Sequence, residues 1–87
     1  MITVYIDDDP ASLGPTATEA DMALYTTRLE DHLERKFGET FRIKANGAPV
    51  AWAAGPEGQK DLIVQVERYV REIEEDGKWA AILAEGG

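Results

Sequence analysis

There is no cysteine among the 87 residues, which excludes disulfides and every zinc site built on thiolates. Histidine and serine each occur once, as His32 and Ser12. A general base needs a nucleophile or a substrate proton within hydrogen-bond reach, and no serine motif, second histidine or thiol supplies one. No apolar run approaches the roughly 20 residues of a membrane-spanning helix. The stretch Met1 to Asp9 lacks a basic lead and turns acidic at once, unlike a signal peptide. The glycines at Gly55 and Gly58 match neither the phosphate-loop nor the dinucleotide pattern. These shortages lead to the expectation of a non-enzymatic cytoplasmic chain with no cofactor and no metal. At this length there is one domain, 1–87, with a modest core that buries roughly 60–65% of the unfolded surface.

Positive charge is the other shortage. Nine Lys and Arg face 17 Asp and Glu, a net charge of −8. Phosphate contacts dominate nucleic-acid affinity, so direct nucleic-acid binding is not expected. Anionic membrane surfaces are disfavoured for the same reason. A partner with a basic surface would be steered in by the long-range field. Solubility alone is the plainer account of the same charge.

What is present reads as a small α+β domain. Ile2, Val4 and Ile6 alternate with Thr3, Tyr5 and Asp7, the period of a half-buried strand. Asp7 to Pro10 ends it, and Ala11 to Pro15 reads as a loop. From Thr16 to Phe37 the apolar residues Met22, Tyr25, Leu29, Leu33 and Phe37 form one helical stripe. Thr16 with Glu19, or Thr18 with Asp21, makes a capping box, and Gly38 suits the far end. Phe41, Ile43 and Ala45 alternate with Arg42 and Lys44. Asn46-Gly47 follows, a strong hairpin signal because both turn positions favour positive φ. Val50 and Trp52 would line one face of the return strand, with Pro49 suggesting a sheet edge. Pro56 suits an early helical position. Leu62, Val66, Tyr69, Val70 and Ile73 make a second helical stripe that Gly77 stops. Lys78 to Ala84 reads as a short closing helix with Trp79, Ile82 and Leu83 on one side, or as a last strand. The tail 85–87 is expected to fray. The pattern is β-α-β-β-α with a short C-terminal helix, a small three-stranded sheet packed on one face by two long helices. The strand order does not follow from it.

The side chains that bear chemistry each have a plainer explanation beside the functional one. Asp7, Asp8 and Asp9 end a strand, where ligands gather in open α/β sheets, and three carboxylates suit magnesium or calcium. However, Ala11 and Leu13 stand where a calcium loop needs oxygens, so a solvated acidic turn is expected. His32, on the shoulder of the first stripe, reads as a boundary histidine. Trp52 and Trp79 suit an interface, but in so small a protein they read as core or half-core residues. Leu24 and Val64 sit on the polar backs of the two helices, where they would be exposed. Single exposed apolar residues are ordinary, whereas two on two helices suit a dimer or partner surface.

The acid is clustered. Glu30, Asp31 and Glu34 lie on the first helix, and Glu72, Glu74, Glu75 and Asp76 at the end of the second. Four carboxylates at a helix C-terminus oppose the macrodipole and each other, at about a few tenths of a kcal/mol each. A cluster kept at that cost suits the imitation of phosphate spacing.

In length, acidity, lack of cysteine and compact α+β layout, the chain resembles the small proteins that phages and mobile elements encode against host defences, anti-CRISPR proteins among them. The resemblance covers the whole chain in style and no motif. It implies a non-catalytic inhibitor that occupies a basic nucleic-acid-binding surface of a host defence complex by DNA mimicry, in the host cytoplasm, as monomer or homodimer. The candidate partner-binding residues are Glu30, Asp31, Glu34, Glu72, Glu74, Glu75 and Asp76, with Leu24 and Val64. A homodimeric structural or accessory domain is the alternative.

Overall fold

The computed structural model describes residues 1–85. Its elements are β1 (Ile2–Ile6), α1 (Glu19–Phe37), β2 (Phe41–Ala45), β3 (Trp52–Ala54), α2 (Lys60–Glu75) and α3 (Trp79–Ala84). The fold is α+β, with a three-stranded mixed sheet under a layer of helices.

α1 starts where Thr18 and Asp21 close a reciprocal capping box. The Asp21 amide donates to Thr18 Oγ1 at 3.2 Å, and the Thr18 amide to Asp21 Oδ2 at 3.0 Å. It ends at Gly38, whose φ of 71° is the left-handed conformation that lacks a penalty only for glycine. Met22, Tyr25, Leu29 and Leu33 are buried, and Phe37 packs partly buried against them. Each fully buried side chain of this size contributes roughly 1.5–3 kcal/mol. α2 begins later than its proline suggests: Pro56 is extended and caps a single turn, Glu57–Gln59, before the helix. Val66, Val70 and Ile73 are its buried stripe, with Leu62, Ile63 and Tyr69 packed beside it. The Lys78 amide donates to the Ile73 carbonyl at 2.9 Å and the Gly77 amide to the Glu74 carbonyl at 3.4 Å. This is a Schellman ending, and it turns the chain into α3, where Ile82 is buried and Trp79 and Leu83 pack against the core.

The expected hairpin is corrected. β2 and β3 do not pair; the order is β2-β1-β3. β1 runs parallel to β2, with Ile2 beside Phe41 and Ile6 beside Ala45. It runs antiparallel to β3, with Tyr5 beside Trp52. Only Gly47 of the Asn46-Gly47 pair has positive φ, so the turn is not the two-residue hairpin type. Its amides turn to β1 instead: those of Asn46 and Ala48 both donate to the Ile6 carbonyl, at 3.0 and 3.3 Å. The physical reason lies in β1. Its Ile2, Val4 and Ile6 are all buried, so burial favours the centre of the sheet, where both backbone edges are satisfied. Val50 falls outside the strand and is 55% exposed. Gly55 leaves β3 in a narrow gap, where a methyl would meet Ile2 at 3.1 Å and Ile63 at 3.2 Å.

Ile2, Val4, Ile6, Phe41, Ile43 and Ala53 face the helices and form the core with them. The alternate residues, Thr3, Tyr5, Arg42, Lys44, Trp52 and Ala54, form the other face of the sheet, which no helix covers. The expectation for residues 85–87 is corrected at Glu85, which is held by His32; residues 86 and 87 lie outside the described residues.

Candidate functional site

The acidic residues singled out by the sequence divide into two groups. Glu30, Glu34 and Glu74 have partners inside the molecule. Glu30 Oε2 accepts the Ile43 amide at 3.3 Å, and Glu34 Oε2 accepts the Phe41 amide at 3.4 Å. Both belong to the outer edge of β2, so α1 covers that edge with carboxylates. The opposite edge is covered in the same way from α2. Glu67 Oε2 accepts the Ala53 amide at 3.1 Å, and Arg71 Nε donates to the Ala51 carbonyl at 2.7 Å while pairing with Glu67 at 2.9 Å. Sheet edges left bare invite pairing with other chains.

Glu74 turns inward to Tyr25, whose hydroxyl donates to Glu74 Oε2 at 3.3 Å. Burial pushes the Glu74 carboxyl up from 4.5 to about 7, the Tyr25 bond acting against the rise and the Asp7 charge adding to it. Burial, and then the Glu74 charge, hold the Tyr25 hydroxyl protonated far above its ordinary range. The remaining four, Asp31, Glu72, Glu75 and Asp76, are exposed. Among the described residues only Asp76 of these has a cation nearby, Lys78 at 3.6 Å.

His32 bridges the three helices. Its Nδ1 lies 2.7 Å from Glu85 Oε1 and its Nε2 lies 2.6 Å from the Tyr69 hydroxyl. Arg35 reaches the same Glu85 oxygen at 3.7 Å, and Lys36 lies 4.8 Å above the Tyr69 ring. A carboxylate, an imidazole and a hydroxyl in line resemble a nucleophile relay. The electrostatics run the other way. Burial, then the Glu85 and Glu72 charges, raise the Tyr69 hydroxyl above its ordinary value, which disfavours the phenolate. Both imidazole nitrogens are engaged, so the array works as a clasp that closes α3 on α1 and α2.

The aspartates after β1 serve their own turn: Asp7 Oδ1 accepts the Asp9 amide at 3.1 Å, and Asp9 Oδ1 accepts the Ala11 amide at 3.0 Å. Leu24 and Val64 are 40% and 55% exposed, on different helices. Trp79 is half-buried, whereas Trp52 departs from the expected core position and is 43% exposed.

Trp52 belongs to the open sheet face, which the sequence reading did not single out. There Tyr5 and Trp52 stack, with ring centroids 4.2 Å apart and planes 16° from parallel. Arg42 and Lys44 stand on the neighbouring strand. The signal was in the alternation itself: the polar half of each strand period names this face once the strands are known to lie side by side.

No family model matches the chain, and no curated protein and no solved structure is significantly similar to it. No helix among the described residues is long and apolar enough to cross a membrane. Fold and surfaces together define a two-layer α+β protein with an acidic helical layer and an uncovered, cationic and aromatic sheet face.

Proposed function

We propose that the chain is a non-catalytic acidic binding protein, an inhibitor that lays its helical layer on the basic nucleic-acid-binding surface of a host defence complex. One observation carries the reading. All 17 acidic residues lie in helices and connections and none in a strand, and the end of α2 brings the exposed Glu72, Glu75 and Asp76 together. Asp31, Glu72 and Glu75 are exposed without a cation at salt-bridge distance among the described residues, and Asp76 follows them at the end of α2. Free carboxylates of this kind steer a basic partner and fix its orientation. The action belongs in the host cytoplasm and needs no membrane and no cofactor.

The test is charge reversal at Glu72, Glu75 and Asp76, each to lysine. Glu74 stays, because it is engaged with Tyr25. A basic, nucleic-acid-binding protein is expected to be retained from host lysate at low salt, to be released by salt or by competing DNA, and to be lost with the reversed variant. Retention that survives the reversal refutes the assignment. The exposure of Leu24 and Val64 favours a second reading, a homodimeric structural domain, which the oligomeric state decides.

A further inference from the structure

The open face of the sheet carries chemistry that the helical layer lacks. Lys44, Tyr5 and Trp52 form one row across the three strands, and Arg42, Thr3 and Ala54 form the next. The Tyr5–Trp52 stack stands on this face with Trp52 well exposed. Among the described residues neither Arg42 nor Lys44 has a carboxylate at salt-bridge distance, although acidic residues outnumber basic ones 17 to 9. Two cations with no carboxylate at salt-bridge distance among the described residues, beside a stacked pair whose Trp52 is exposed, match an anion that also carries a flat π-system.

Area selects among such ligands. Three strands about 4.8 Å apart, and five residues of about 3.3 Å each, give a platform on the order of 200 Å². A stable protein interface takes about 800 Å² from each partner, so a second copy seated here is undersized. A short run of stacked nucleotides fits. The net charge does not forbid it. The nearest carboxylates along the sheet's edges, Glu30, Glu34 and Glu67, are each engaged with a backbone amide, and the Debye length at physiological salt is about 8 Å. Asp8, beside Gly47 past the end of β2, is a further carboxylate near this face. The expectation that nucleic acid is not bound directly rests on the total charge, whereas a ligand meets the local one.

We propose that the open sheet face binds a short single-stranded nucleic acid, its bases stacking on the Tyr5–Trp52 pair and its phosphates on Arg42 and Lys44. Base–aromatic stacking on a flat sheet is a recurring mode of single-strand recognition and tolerates any base. The site is separate from the acidic helical layer, so either proposal can fail alone.

Fluorescence anisotropy with a fluorescein-labelled thymidine tetranucleotide tests it at low salt. Binding is expected, weakened about tenfold or more by Trp52→Ala and partly restored by Trp52→Phe. The slope of log affinity against log salt is expected near −1.4, from two phosphates on a single strand. Arg42→Ala with Lys44→Ala, both exposed and outside the core, is expected to flatten that slope while the circular-dichroism spectrum stays unchanged. No binding at millimolar protein overturns the proposal. Equal binding of a base-free sugar-phosphate tetramer overturns it too, because stacking then contributes nothing. Self-association that Trp52→Ala disperses, with no response to the oligonucleotide, gives the face to a second copy instead.

Discussion

Glu74 is a carboxyl whose protonation the fold itself favours. Its folded value, about 7, lies above the ordinary 4.5. The stabilising contribution of the neutral form is therefore complete below 4.5 and is lost as pH rises through about 7. Glu74→Gln keeps the neutral shape at every pH. The variant is expected to match the parent in melting temperature below pH 4.5, and to exceed it above pH 7, where the parent carries a largely buried charge. Calorimetry across that range checks it; parallel curves for the two proteins would remove Glu74 as the source. In the sequence this residue belongs to an acidic run with Glu72, Glu75 and Asp76. Periodicity marks the apolar stripe of α2 but not a carboxylate at its margin, and the Tyr25 partner lies 49 residues away in the chain. Tyr25 itself was legible as core, and His32 as a boundary residue. The partners of His32 are Tyr69 on α2 and Glu85 just past the end of α3, which no local pattern brings together.

At the scale of elements, the sheet is bordered by glutamates. Removing Glu30 and Glu34 together, each to alanine, leaves the Ile43 and Phe41 amides without an internal acceptor. At 3.3 and 3.4 Å these bonds are long, so the expected loss is about 1 kcal/mol each. Urea unfolding measures it, and Gln at both positions restores much of it because the acceptor oxygen remains. The alanine variant is also expected to aggregate more readily on heating, through the bared edge. A double variant as stable and as dispersed as the parent contradicts the role. The helices and strands themselves were legible because each has its own period and its own caps. The pairing was not. Asn46-Gly47 is a local signal for a hairpin, but it lost to the burial of Ile2, Val4 and Ile6, which favours β1 at the centre. Exchange of that kind between a turn preference and a whole strand's burial depends on distances along the chain that no short window contains.

For the molecule as a whole, the Cα radius of gyration is 12.0 Å and the extents are 39 × 28 × 19 Å. The scaling for compact single chains gives about 12 Å at this length, and a doubled chain gives about 15–16 Å. Small-angle scattering is expected to return the smaller value even at high concentration, because the sheet face falls short of the area of a stable dimer and Leu24 and Val64 are single exposed residues on different helices. A value near the larger figure would favour the homodimeric reading. The net charge was legible from composition alone. The partners that engage Glu30, Glu34, Glu67 and Glu74 were not, since they come from other elements. Alternation showed Arg42 and Lys44 pointing the same way, and only the strand order sets them beside Tyr5 and, beyond it, Trp52.

The central position of β1 also orders events in time. The strand precedes both of its partners: Ile2 waits 39 residues for Phe41, and Thr3 waits 51 for Ala54. At about 5–20 residues per second, synthesis takes seconds to deliver the first of them. Through that interval the most apolar strand of the protein has neither neighbour, and α1 is the first surface that can shelter it. Distant pairing of this kind slows folding, because the loop must close before any contact rewards it. The earliest of these three strands thus gains its second neighbour only when the latest has been made.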